Sequence, residues 1–125
     1  MRKHIVVIEN DQPRLAVITT NLEEAGYIVT GLQSFSSMQD LLFLRPDCFI
    51  INEWLPEISG HAICLMLKAK VQTRNTPVIL ISDLFDEEPR ENRCDADLIL
   101  KRPFQPYNLV QIVSLLIRKA ALTHN

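Results

Sequence analysis

Five residues have the types and positions to do chemistry together: Glu9, Asn10, Asn52, Ser82 and Arg102. Each stands at or just beyond the end of a short apolar run, and together they would bring a carboxylate, two amides, a hydroxyl and a guanidinium to one place. A cluster richer in acids would call for a divalent cation, but here Glu9 and Arg102 roughly cancel. Mg²⁺ binds through carboxylates and water and gives up its hydration reluctantly, so one glutamate with two amides makes a poor site for it. Arg102 is expected instead to satisfy Glu9 or Asn52 directly and close a hydrogen-bonded cluster. No metal or other cofactor is expected. Asp11, Glu53 and Asp83 are close to the cluster in sequence. Neighbouring residues on a strand point to opposite faces, so Glu53 does not simply stand in for Asn52. Asp83, just after Ser82, either leans over the pocket or is a solvated loop acid, and the second reading is the one expected.

The elements that must position these groups are legible in the apolar pattern. Ile5 to Ile8 is a β-branched run ending at Glu9-Asn10-Asp11, the mark of a buried first strand. Asp11 or Gln12 caps a helix whose first residue is Pro13, which carries Leu15, Ile18 and Leu22 and closes at Gly26. Tyr27 to Val29 is the second strand. Ser36 or Ser37 caps a short helix with Met38, Leu41, Leu42 and Leu44, which Pro46 stops. Cys48 to Ile51 is the third strand, delivering Asn52 to a turn built on Pro56 and Gly60. A helix from about Ser59 to Lys70 follows. Ile63 and Leu67 form one stripe on it, while Ala62, Leu65, Met66 and Ala69 make a second flank apolar, which implies deep covering ahead of a partner-facing patch. Pro77 to Ile81 is the fourth strand, ending at Ser82-Asp83. The segment from 86 to 93 is polar and contains Pro89, so any helix there is short. Leu98 to Leu100 is the fifth strand, and Pro106 starts a last helix with Leu109, Ile112, Val113, Leu116 and Ile117 toward the core.

Strands alternating with helices imply a parallel sheet with helices on both faces, joined by right-handed crossovers. In such a sheet, sites form at the carboxyl ends of the strands. With 125 residues and 47% hydrophobic content, a single domain over 1–125, with its core from about 4 to 120, is expected. The net charge of −2, with both signs interspersed, offers no electrostatic case for nucleic acid or an anionic membrane. Cys48, Cys64 and Cys94 are widely spaced with no CxxC pair, as in a reduced cytoplasmic protein. They read as buried or half-buried hydrophobes. No signal peptide or membrane span is expected from the short run after Met-Arg-Lys-His. His4, His61 and His124 gather into no site and read as surface residues.

Four stretches in order resemble the receiver domain of two-component response regulators, the CheY-like fold: Ile-Val-Val-Ile-Glu-Asn, Leu-Pro-Glu-Ile-Ser-Gly, Thr-Pro-Val-Ile-Leu-Ile-Ser, and Asp-Ala-Asp-Leu-Ile-Leu-Lys-Arg-Pro-Phe. The resemblance runs from Ile5 to about Ala120. It implies a three-layer, doubly wound, flavodoxin-like sheet of five parallel strands in the order 2-1-3-4-5. It also implies an aspartate that accepts a phosphoryl group, two acids holding Mg²⁺, a hydroxyl and a lysine. Matching Pro56 and Gly60 to the family's turn puts Asn52 at the acceptor position, and an amide is no nucleophile for phosphoryl transfer. Asn10 replaces one metal-binding acid, beside Glu9. Arg102 replaces the lysine, with a planar fork in place of a compact ammonium. Ser82 keeps the hydroxyl, and Ile99 stands where receivers place a switching aromatic.

The expected function is therefore a pseudo-receiver: a non-enzymatic signalling domain that works by binding a protein such as a histidine kinase or an output module. Receivers commonly use their fourth helix, fifth strand and last helix for partners. Here the segment after Ser82 is short, so the helix bearing Leu65 and Met66 is the expected interface, in a homodimer among other assemblies. Trp54 either covers the pocket mouth or packs on a partner. A phosphoacceptor using Asp83, Asp11 or Glu53 is the alternative. A small-molecule module is a remote third, since the stretch from Glu9 to Pro13 is no phosphate loop.

Overall fold

The computed structural model describes residues 2–83 and 94–123. The polar segment with Pro89, the comparison of its length, and His124 lie outside the described residues. The elements run β1 (His4–Ile8), α1 (Gln12–Glu24), β2 (Ile28–Leu32), α2 (Met38–Leu44), β3 (Cys48–Asn52), α3 (Gly60–Lys68), β4 (Val78–Asp83), β5 (Leu98–Arg102) and α4 (Pro106–Thr123). The five strands form one sheet in the order β2-β1-β3-β4-β5, and every neighbouring pair is parallel.

Strand alternation splits the core in two. Val6, Ile8, Phe49, Ile51, Val78 and Leu80 face Leu41 of α2 and Ile63, Cys64 and Leu67 of α3. Ile5, Val7, Ile50, Ile79 and Ile81 face Leu15, Ile18 and Leu22 of α1 and Leu109, Val113 and Ile117 of α4. The near-continuous β-branched runs follow from this, because a parallel sheet covered on both sides needs apolar residues at every position.

The helix starts are fixed by side-chain caps. Asp11 accepts from the Arg14 amide at 3.0 Å, Ser37 from Asp40 at 3.1 Å, and Ser59 from Ala62 at 3.0 Å. α1 ends at Ala25, and Gly26 beyond it has φ +100°, the left-handed position that glycine takes at least cost.

Three strands, β2, β4 and β5, run further than the apolar pattern predicts. β2 continues through Gly31 to Leu32, held by its register with β1. β5 continues through Lys101 and Arg102, which pair in register with Ser82 and Asp83 of β4. Main-chain pairing continues there after the hydrophobic signal has stopped.

The expected deep covering of α3 is not what the fold provides. Ile63, Cys64 and Leu67 are buried, but Leu65 is half exposed and Ala69 is exposed. Positions 60, 63, 64 and 67 form the stripe facing the sheet, and Leu65 falls outside it. The three cysteines are buried free thiols. Burial pushes the Cys48 and Cys64 thiols up, with nearby Asp97 adding to the first and Cys94 to the second, so they behave as small core residues rather than nucleophiles. His4 is more engaged than a surface residue: its Nε2 lies 2.8 Å from Thr30 Oγ1.

Candidate functional site at the carboxyl edge of the sheet

Four strands each place one polar side chain a single step beyond a core residue of the same face. Glu9 follows Val7, Asn52 follows Ile50, Asp83 follows Ile81 and Arg102 follows Leu100, two residues on in each case. Because side chains alternate along a strand, all four continue the face covered by α1 and α4. They close over its upper end as a polar cap.

Asn52 is buried, and its amide is engaged at both ends. Nδ2 donates to Glu9 Oε2 at 3.0 Å and to Asn10 Oδ1 at 2.9 Å. Oδ1 accepts from the Trp54 amide at 3.2 Å and from Arg102 Nη2 at 3.3 Å. This orientation is forced, because a flipped amide would set oxygen against two acceptors and NH₂ against two donors. Glu9 is 1% exposed, yet it is fully compensated. Oε2 also accepts from the Asp11 amide at 3.1 Å, and Oε1 accepts from Arg102 Nη1 at 3.2 Å.

Arg102 ties the cluster together. Besides Glu9 and Asn52, its Nε donates to Asp83 Oδ1 at 2.9 Å. The three nitrogens of one guanidinium therefore reach three strands, which a lysine's single nitrogen cannot do with the same geometry. The expectation that Arg102 satisfies Glu9 or Asn52 is met by both at once. The reading of Asp83 as a solvated loop acid is not met. β4 runs on to Asp83, whose Cα pairs with that of Arg102, and residues in register on adjacent strands point to the same side. Extending both strands by two residues in the sequence reading would have revealed the pair.

The remaining residues are placed as follows. Ser82 is buried at the same edge, one position beyond Ile81, the register partner of Asn52. Asn10 is exposed at the rim. Glu53 turns away: its Oε1 accepts from the His61 amide at 2.6 Å in the first turn of α3. Ile99 packs toward α2 and α3, on the other side of the sheet from the cluster. Trp54 is half exposed, with its main chain bound to Asn52. Met66 packs against the core and only its neighbour Leu65 is exposed, so the two expected interface residues are not equivalent. Sequence reasoning assigned Gly60 to a turn, but its stronger constraint is contact. A Cβ there would stand 2.5 Å from the Asn52 carbonyl oxygen and 2.8 Å from Leu80 Cδ1, so glycine is what lets α3 start hard against the site.

Mg²⁺, the ion that the resemblance brings with it, does not fit these residues. Both Glu9 oxygens already accept donors, an NH₂ group points at Glu9 and Asn10, and a guanidinium occupies the space between the acids. Among the described residues, no group of three or more His, Cys, Asp or Glu side chains comes together to hold a metal. Beside the cluster lies a cavity of about 300 Å³ lined by Glu9, Pro13, Val17, Arg102 and Phe104 among others.

Similarity to known proteins agrees with this architecture. A family model for the response regulator receiver domain matches residues 5–114. The phosphate regulon transcriptional regulatory protein PhoB of Klebsiella pneumoniae is 27% identical over 122 residues, covering 95% of this chain and 53% of PhoB. The chain thus spans about half the length of that relative. The rice two-component response regulator ORR5 is 26% identical over 120 residues, covering 92% of this chain and 89% of ORR5. Among solved structures, the receiver domain of a signal transduction histidine kinase from Syntrophus aciditrophicus superposes with a TM-score of 0.85 at 27% identity, covering 98% of this chain and 94% of its own. No described helix is long and apolar enough to cross a membrane. With five parallel strands in the order 2-1-3-4-5 and a polar cluster at their carboxyl edge, the chain belongs to the response regulator receiver domain family and is a receiver domain of two-component signalling.

Proposed function

We propose that this receiver signals without being phosphorylated and acts by binding other proteins in the cytoplasm. The observation that carries this reading is the state of Asn52. At the acceptor position stands an amide whose nitrogen and oxygen are both engaged, in a pocket whose buried carboxylate, Glu9, is already paired with Arg102. Phosphoryl transfer to a side chain here needs a carboxylate nucleophile, and Asn52 supplies none. The other nearby acids hold hydrogen bonds of their own: Asp11 caps α1, Glu53 caps α3, and Asp83 binds Arg102.

Receiver domains are signalling modules that interact with histidine kinases and output domains, and a partner of that kind is the natural reader of this one. The contact face proposed is the outer side of α3 around Leu65, with Trp54 at its edge, in a homodimer or with a different protein. The balanced surface charge supports a protein partner over nucleic acid or a membrane. The test is incubation with Mg²⁺ and acetyl phosphate followed by intact-mass measurement. No mass change is expected. A stoichiometric gain of one phosphoryl group would overturn the reading and point to Asp83, Asp11 or Glu53.

A further inference from the structure

We infer that the Arg102 guanidinium is the permanent cation of this site, and that removing it turns the pocket into a site for a divalent metal ion. The inference rests on the proposed phosphorylation-independent reading, which it deepens by assigning what took the cation's place. Three oxygens from three strands, Glu9 Oε1, Asn52 Oδ1 and Asp83 Oδ1, converge on one guanidinium at 3.2, 3.3 and 2.9 Å. Two of them belong to carboxylates. A set of two carboxylates and an amide oxygen, completed by water, is what a hard cation such as Mg²⁺ or Mn²⁺ takes. The oxygens are present and the vacancy is not.

Covalent attachment gives the arginine its advantage. A free ion must be recruited from solution at each folding event and gives up part of its hydration, whereas Arg102 is delivered by the strand that pairs with Asp83. Its fork also matches three separated acceptors, where a spherical ion would pull them to a common centre. In formal charge, Glu9, Asp83 and Arg102 sum to −1, and Asp83 is the more exposed of the two acids, at 46% of its side chain. The buried carboxylate, Glu9, is the one that needs a cation, and Arg102 reaches it from a position only 15% exposed. This receiver should be indifferent to divalent ions, a property that follows from one residue and not from loss of the acids alone.

The test uses the full chain in three forms, wild type, Arg102→Ala and Arg102→Gln, each titrated with MnCl₂ and MgCl₂ and reversed with EDTA. Two readouts are taken: thermal midpoint, and quenching of Trp54, the one tryptophan of the chain, by paramagnetic Mn²⁺. Wild type is expected to show no saturable change in either. Arg102→Ala is expected to gain a saturable rise in midpoint and saturable quenching, both abolished by EDTA and by adding Asp83→Asn. If Arg102→Ala folds only with Mn²⁺ present, that supports the proposal. A saturable response of wild type equal to that of Arg102→Ala would overturn it. So would folded Arg102→Ala and Arg102→Gln proteins that ignore both ions, or failure of both to fold with or without them. Intact mass of the same wild-type sample after acetyl phosphate separates the two ideas: phosphorylation there sinks the proposed function, whereas a silent Mn²⁺ titration of Arg102→Ala sinks only this inference.

Discussion

Each end of the sheet carries a cation that bridges oxygens from several segments, and the two are built the opposite way round. At the carboxyl edge the buried group is an acid, Glu9, and Arg102 reaches in to meet it. At the amino edge the sheltered group is the cation. Lys68 of α3 is 12% exposed at its side chain and donates to Thr76 O at 2.9 Å, Arg74 O at 3.3 Å and Asp97 Oδ2 at 2.8 Å, while Asp97 stays at the surface. The lysine staples the connection leading into β4, and Asp97 in turn accepts from the Val78 amide at 2.8 Å. Among the described residues, bridging several oxygens with one cation is thus a device found at both edges of the sheet. What singles out the carboxyl edge is a buried acid together with a buried amide whose four hydrogen bonds are all spoken for.

The comparison breaks or holds on a pair of substitutions. Arg102→Met leaves a desolvated carboxylate without its counter-charge, and removing one partner of a buried pair costs about 3–5 kcal/mol. Lys68→Met orphans two carbonyls near solvent and frees a surface aspartate, for a cost of about 1–3 kcal/mol. Urea unfolding in metal-free buffer measures both. Equal losses would mean that the two networks are interchangeable. Adding Glu9→Gln to Arg102→Met should recover part of the stability, since it removes the uncompensated charge. No recovery would place the damage in lost packing of the arginine stem instead.

Asn52→Asp sharpens the comparison from the acid side. It replaces two N–H donors by oxygen lone pairs facing Glu9 and Asn10, an exchange that costs about 1–3 kcal/mol of hydrogen bonding, with Arg102 offsetting part of the new charge. The restored carboxylate then pairs with the arginine, not with a metal. Acetyl phosphate with Mg²⁺ is therefore expected to leave the single variant unlabelled by intact mass. Rapid labelling of Asn52→Asp would show that the amide alone, and not the arginine-closed pocket, separates this chain from a phosphoacceptor.

Much of the site could be read from the chain because parallel strands advertise themselves. Apolar runs end where polar residues begin, so Glu9, Asn52 and Arg102 were marked as edge residues, and the charge inventory alone suggested that the arginine closes the pocket. Asp83 departs from the apolar pattern for a physical reason. Its strand continues by main-chain pairing after the apolar residues stop, and hydrophobic patterning carries no trace of that. Gly60 was seen as a turn former because its other constraint, the carbonyl of Asn52 lying against it, belongs to tertiary packing. Lys68 and Asp97, 29 residues apart, are ordinary charged residues in sequence and meet only because α3 and β5 are brought together at the amino edge. On α3 itself, composition showed too many apolar residues for one stripe but not which would be left outside. That depends on how the helix is rotated against the sheet, which tertiary packing decides.

The smallest expected effect on stability, Leu65→Glu, tests whether the site and the proposed contact face are separate. Leu65 is 50% exposed, so a charge there stays within about 0.5 kcal/mol of wild type, as surface substitutions do. Met66 would confuse the result, because it is partly buried against the core and its replacement by glutamate costs folding as well as contact. The single variant is therefore the clean probe. If α3 is the self-association face, sedimentation equilibrium should show Leu65→Glu shifted toward the monomer with an unchanged thermal midpoint. Arg102→Met, measured at a temperature where it is still folded, should assemble as wild type does. An unchanged mass for Leu65→Glu would remove α3 as the contact. Loss of assembly in Arg102→Met alone would instead tie the partner surface to the polar cluster, through a side chain that joins β1, β3, β4 and β5 at that edge.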